Sequence, residues 1–321
     1  MRKIKNYYNL NWKHSPEDQR DFRFMSLMTT RKDIFKVEVL PIASDCSNLI
    51  PEIYDQGMVG SCTGNSVSMA GLYQSRKQDR EIFPSRLMLY YNGRIPLGEP
   101  ITDDGAYLRD VIKGFAKYGS CSELDWPYDE FLVNAKPSDD AYVKGEHTKA
   151  IQYYSLDTTI LDEMKNCIAS GHPFVFGFNV YTSFFGSWVD TMPIPGVKER
   201  LEGGHAVLAV GYDDSRKAVK IKNSWGIDWK DGGYFWMPYD FFLSDNCGDA
   251  WMVTGLTATD VVVPDTVGVV DLKKVFFSLK AIKKMAESEI VAIGQQMGLN
   301  TDIKKSKSHN ATIVAGALGI K

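Results

Sequence analysis

Cys62 is the residue in this sequence best placed to do covalent chemistry. It lies in the run Asp55-Gln56-Gly57-Met58-Val59-Gly60-Ser61-Cys62-Thr63-Gly64-Asn65, where a helical pattern begins. Free backbone N–H groups at a helix start favour negative charge, and a thiol placed there is drawn toward the nucleophilic thiolate. Gly57 and Gly60 let the backbone bend and let a substrate approach. A thiol nucleophile needs a base, and the chain has five histidines: His14, His147, His172, His205 and His309. Only His205 opens an apolar strand directly behind a glycine pair, Gly203–Gly204, which clears space around the ring. The base needs an orienting partner. Asn223 ends a strand pattern and precedes Ser224-Trp225-Gly226; its amide oxygen can accept from one imidazole nitrogen, and Trp225 can shield that bond. Gln56, six residues before Cys62, can offer a side-chain N–H to a developing oxyanion, with the Cys62 N–H as the second donor. Taken singly, each of these residues reads as structural.

The elements that must carry these groups fall into two textures. Val67, Ala70 and Leu72–Tyr73 are roughly helix-spaced after Ser61, a candidate N-cap. Leu108, Val111, Ile112 and Phe115 predict a helix over 106–118 that Gly119 stops. The stretch 122–145, with Pro127 and Pro137, reads as loop. After about residue 150 one helix is expected at about 158–169. Strands follow at Phe174–Tyr181, His205–Tyr212, Lys217–Asn223, Gly233–Met237 and Ala250–Leu256. A mostly helical half followed by a mostly β half gives an α+β class in two lobes.

The order of these motifs carries more than any one of them. Gln56–Asn65, the run Gly203-Gly204-His205-Ala206-Val207 with Val210-Gly211-Tyr212, and Ile221-Lys222-Asn223-Ser224-Trp225-Gly226 resemble the papain family of cysteine peptidases. The histidine follows the cysteine by about 143 positions, a papain-type spacing. Trp229, Gly232-Gly233-Tyr234 and Asp104-Gly105-Ala106-Tyr107 extend the likeness over roughly residues 45–257. The resemblance implies a two-lobe fold, with a helical left lobe, a β-barrel-like right lobe and the site in the cleft between them. It implies a Cys62–His205 thiolate–imidazolium pair, Asn223 fixing the ring, an oxyanion hole at Gln56 and the Cys62 N–H, and an acyl-enzyme released by water. Sulfur and ring nitrogen are then expected within about 4 Å. Gly105 would offer backbone groups to an extended peptide, Leu108, Gly203 and Gly204 would line the main specificity pocket, and Ala106 and Trp225 are further substrate-binding candidates. An acyl transferase using the same site, or a peptide-binding module that keeps the fold without catalysis, remains an alternative reading.

Departures from the family pattern inform too. Thr63 stands where an aromatic is frequent, Ala106 replaces a glycine, and Val59 and Asp103 occupy the two positions of a common disulfide. Five widely spaced cysteines with no metal-ligand spacing point to free thiols, no metal and no cofactor. With no signal-like apolar stretch, that pattern sets the expectation of a cytoplasmic or otherwise intracellular enzyme. No apolar run approaches the roughly 18–20 residues of a membrane span. The net charge of −3 gives no pull toward nucleic acid, and the expected partner is a polypeptide substrate. Four segments are expected. Residues 1–44 form an N-terminal arm or short pro-segment, read as mainly structural. Residues 45–150 form the helical lobe and 151–257 the β-rich lobe. Residues 258–321 form an appendage whose helix, 270–286, pairs an apolar stripe with lysines suited to a partner or membrane surface.

Overall fold

A computed structural model describes residues 8–257. The helix expected at 270–286 lies outside the described residues. Among the described residues there are eight α-helices: α1 (Phe24–Thr30), α2 (Lys32–Phe35), α3 (Cys62–Lys77), α4 (Arg86–Arg94), α5 (Leu108–Tyr118), α6 (Asp139–Gly145), α7 (Leu161–Ala169) and α8 (Tyr239–Phe242). The strands are β1 (Ala43–Asp45), β2 (Ala150–Leu156), β3 (Phe174–Tyr181), β4 (Leu201–Asp213), β5 (Ala218–Lys222), β6 (Tyr234–Pro238) and β7 (Cys247–Leu256).

All seven strands join one antiparallel sheet in the order β2-β7-β3-β4-β5-β6, with β1 added on β4. The sheet is open, since β2 and β6 do not pair with each other, and the class is the expected α+β with no closed barrel. The five expected strands are present; β4 and β7 are longer than expected, while β5 is shorter than the expected Lys217–Asn223. The expected loop at 122–145 contains α6, whose start Ser138 caps by accepting from the Ala141 N–H at 3.1 Å.

The helix that bears the nucleophile is built unlike a surface helix. Every residue of α3 from Cys62 to Ser75 is buried, so it has no solvent face. Small residues make this possible: a Cβ at Gly64 would stand 2.6 Å from the Arg86 carbonyl oxygen of α4. The far side of α3 packs against β4 and β7. Ser61 takes the N-cap position, but its hydroxyl pairs with the Tyr128 hydroxyl (2.6 Å) and accepts from Asn65 Nδ2 (2.9 Å) rather than capping a backbone N–H. α5 starts at Leu108 and ends at Gly119, where φ is +71°, a left-handed stop that suits glycine. In α4, Arg86 is buried and pairs with buried Glu123 at 2.8 Å; two charges removed from water need each other.

Candidate active site

The first residue of α3 faces the edge of β4. Cys62 and His205 are both fully enclosed, and the thiol receives the backbone N–H of Ala206, the residue after His205. β4 pairs with β3 on one side, Phe178 opposite His205, and Phe178 sets its ring edge-on to the imidazole at 5.8 Å. Asn223, just past β5, places Oδ1 2.7 Å from His205 Nε2. The same oxygen accepts from the Ser224 backbone N–H at 2.9 Å. A main-chain N–H can only donate, so this atom is an acceptor, and Nε2 must be the protonated ring nitrogen. Nδ1 is left with the lone pair and has no hydrogen-bond partner. Trp225 packs beside the ring, centroids 4.7 Å apart.

Gln56 is fixed from both ends. Its Oε1 accepts from Ser224 Oγ (2.8 Å), its Nε2 donates to the Val59 carbonyl (2.9 Å), and its backbone N–H donates to the Ser224 carbonyl (2.9 Å). One Nε2 hydrogen remains for another acceptor. The Gln56 loop and the Asn223–Trp225 turn are thus stitched together across the two halves of the fold.

His205 Nδ1 makes no hydrogen bond to the Cys62 thiol. Burial pushes the Cys62 thiol up to about 11, opposed by the N–H groups of Ala206, Thr63 and Cys62 itself. Burial also pulls His205 down to about 4, against the Asn223 bond. Desolvation penalises both charges, so burial disfavours the thiolate and the imidazolium alike.

The chain itself lies along the edges beside this pair. Residues 8–14 run between the glycine pair of β4 and the loop ahead of α5. Asn11 bridges in parallel to Gly204, and Lys13 to Tyr107. The Trp12 N–H donates to the Gly204 carbonyl (3.0 Å) and the Gly204 N–H to the Leu10 carbonyl (3.3 Å). Tyr8 stacks on Trp225 at 4.0 Å and 5°. Trp12 is seated where two strands, β3 and β4, offer no side chain in its way. A Cβ would stand 1.8 Å from its ring at Gly177 and 2.7 Å at Gly204, and one at Gly248 would stand 2.5 Å from the neighbouring His14 ring. Gly203 and Gly105 meet the arm backbone as closely, while Ala106 and Leu108 lie in the buried cluster that includes Trp12. The structure therefore gathers Gly105, Gly203, Gly204 and Trp225 around one occupant. Sequence reasoning missed that occupant, and with it Trp12 and Gly177.

Beyond residue 14 the arm is part of the fold. Asp249 accepts from the Ser15 N–H (3.2 Å) and hydroxyl (2.8 Å), Arg109 pairs with Asp21 at 2.6 Å, and Phe24 is completely buried.

Residues 42–254 match the family model described as papain family cysteine protease. The chain belongs to the papain family of cysteine proteases. Among its papain-family relatives, an uncharacterised peptidase C1-like protein of Acanthamoeba polyphaga mimivirus is 38% identical over 238 residues, covering 70% of this chain and 74% of that protein. A cathepsin B-like protein of Giardia intestinalis is 31% identical over 223 residues, covering 64% and 69%. Among solved structures, xylellain, a cysteine protease of Xylella fastidiosa, superposes with a TM-score of 0.69 at 35% identity, covering 78% of this chain and 98% of that one. The protein is a cysteine peptidase hydrolase with a polypeptide substrate. Its five cysteines are all free and buried. Among the described residues no cluster of ligands could hold a metal ion, and no helix is long and apolar enough to cross a membrane.

Proposed function

We propose that Cys62 cleaves peptide bonds through an acyl-enzyme and that residues 8–14 hold the described form latent. The observation that carries the mechanistic reading is the Asn223–His205 bond at 2.7 Å. By fixing the proton on Nε2 it leaves the Nδ1 lone pair as the acceptor for the thiol proton. In the proposed reaction Nδ1 takes that proton and the Cys62 sulfur attacks the scissile carbonyl. Gln56 Nε2 and the Cys62 N–H donate to the oxyanion, and the imidazolium returns its proton to the leaving amine. Water, activated by the same nitrogen, then releases the acyl group.

Latency follows from where the arm lies. A substrate backbone needs the Gly105 and Gly203–Gly204 edges that residues 10–13 occupy, and both reacting groups are enclosed while it stays. Displacing residues 8–14 would admit water to Cys62 and His205 and remove the penalty that keeps them neutral, so that the thiolate–imidazolium pair can form.

The experiment is hydrolysis of a fluorogenic peptide library by the full chain and by its Trp12→Ala form. The Trp12→Ala form is expected to turn over faster than the parent, and Cys62→Ala to remove all of that activity. Turnover that Trp12→Ala leaves unchanged contradicts latency; turnover that survives Cys62→Ala contradicts the mechanism. Products that incorporate an added amine instead of water would mark an acyl transferase.

A further inference from the structure

One carboxylate joins the loop ahead of the nucleophile to the loop that edges the cleft. Both oxygens of Asp103 lie 3.0 Å from the Gly60 nitrogen and accept its N–H. Oδ1 also accepts from the Tyr90 hydroxyl at 2.7 Å. That hydroxyl in turn accepts from the Gly105 N–H at 3.0 Å. The run from Gly60 through Asp103 and Tyr90 to Gly105 thus links a point two residues before Cys62 to the backbone edge that meets the arm. The arm touches the same node, because Asn11 Nδ2 donates to the Asp103 carbonyl at 3.1 Å.

The node is held rigidly. Tyr90 is fully buried in α4, and Arg94 lies over its ring at 3.9 Å while donating to the Thr102 carbonyl at 2.7 Å. There is no slack at Gly60, where a Cβ would stand 3.0 Å from Asp103 Oδ1. Hydrogen bonds to a carboxylate are roughly twice as strong as neutral ones, so this acceptor outweighs a single loop contact. Misplacing reacting groups by about 1 Å can cost roughly a hundredfold in rate, so whatever sets the Gly60–Cys62 backbone also sets catalysis.

We propose that Asp103 is a positioning residue for the peptidase reaction, holding the Cys62 loop in register with the Gly105 substrate edge through Tyr90. Its kinetic consequence rests on the peptidase reading above; its structural consequence does not.

The test uses the full chain carrying Asp103→Ala, Asp103→Asn or Tyr90→Phe. The first readout, amide hydrogen exchange at Gly60 and Gly105, needs no catalysis. In Asp103→Ala, exchange is expected to speed up at both amides, although Gly105 keeps its own acceptor on Tyr90. Asp103→Asn retains an acceptor oxygen and is expected to keep most of the protection. The second readout is kinetic, with each variant placed in the Trp12→Ala form. Asp103→Ala is expected to lower kcat roughly a hundredfold and Asp103→Asn far less, while Tyr90→Phe raises KM with kcat little changed. Gly105 exchange unmoved by Asp103→Ala overturns the proposal. So does an equal fall of kcat in the Ala and Asn variants that tracks their melting temperatures. If Trp12→Ala itself turns over no peptide, the latency reading fails and with it this kinetic readout, and the exchange result alone decides whether Asp103 couples the loops.

Discussion

Ser224 and His205 compete for nothing at Asn223: one amide oxygen serves both, and that sharing fixes which imidazole nitrogen is free. Removing the oxygen should therefore damage proton transfer more than folding. Asn223→Ala is expected to cut kcat by about 10–100-fold, the range typical of groups that orient a reacting ligand. Asn223→Asp keeps an acceptor and adds a charge beside the ring. It is expected to raise the His205 pKa from its depressed value near 4 and to shift the pH–rate profile toward higher pH. Steady-state profiles of the two variants check both outcomes; an Asn223→Ala profile that overlays the parent contradicts the assigned role. These residues were legible in the sequence because the chemistry needs particular side chains at the ends of particular elements. Cys62 at a helix start, His205 behind two glycines and Asn223 before Ser224-Trp225 each carry a mark that survives without coordinates. The charge state was not legible, since it depends on how completely another segment closes over the pair.

At the scale of elements, the arm and α4 show why sequence reading stopped where it did. Residues 10–13 enter the cleft chiefly through backbone pairing to Gly204 and Tyr107, which leaves no periodic side-chain pattern, and Trp12 reads as a lone aromatic among polar neighbours. α4 hides for the opposite reason. Its nine residues are all buried, Arg86, Asn92 and Arg94 among them, so polar residues interrupt the apolar spacing that would announce a helix. Glu123 and Asn134 supply the partners that make this burial possible, and both are distant in sequence. The arm yields a sharp expectation. Any side chain at Gly177 collides with the Trp12 ring, within 1.8 Å for the first carbon alone. Gly177→Ala should expel the arm, and Trp12→Ala should loosen it. Both should raise the rate of Cys62 alkylation by a small thiol reagent at least about tenfold, and lower its pH midpoint as water reaches the thiol. Peptide mapping of the adduct measures this directly. Unchanged labelling in Gly177→Ala would show that the arm does not govern access.

Across the whole molecule, buried titratable groups set how stability follows pH. Burial holds His205 and His172 at about 4, below the ordinary 6.5. For each, the unfolded chain binds the proton first, so the stabilisation is present above 6.5 and is lost as pH falls toward 4. Glu163 runs the other way. Burial raises it from 4.5 to about 7, so its contribution is present below 4.5 and is lost as pH rises through 7. Between 4.5 and 6.5 the two histidines outweigh the one acid, and stability is expected to rise with pH. His172→Gln should flatten that slope, and Glu163→Gln should steepen it. Urea midpoints taken across the interval test the sign; a parent slope that falls with pH contradicts it. The α+β class was readable from the change of texture near residue 150, whereas the strand order was not, because it depends on which strands meet rather than on any strand's own pattern. The central claim, that one thiol among five performs the chemistry, has a direct test. The Trp12→Ala chain is treated with a peptidyl thiol-directed epoxide, the modified residue is located by mass spectrometry, and peptide hydrolysis is followed in the same sample. The account predicts a single adduct on Cys62, with hydrolysis lost in step with its formation and absent from the Cys62→Ala form. An adduct on Cys46, Cys121, Cys167 or Cys247 that accompanies the loss of hydrolysis, or hydrolysis that persists in Cys62→Ala, would contradict it.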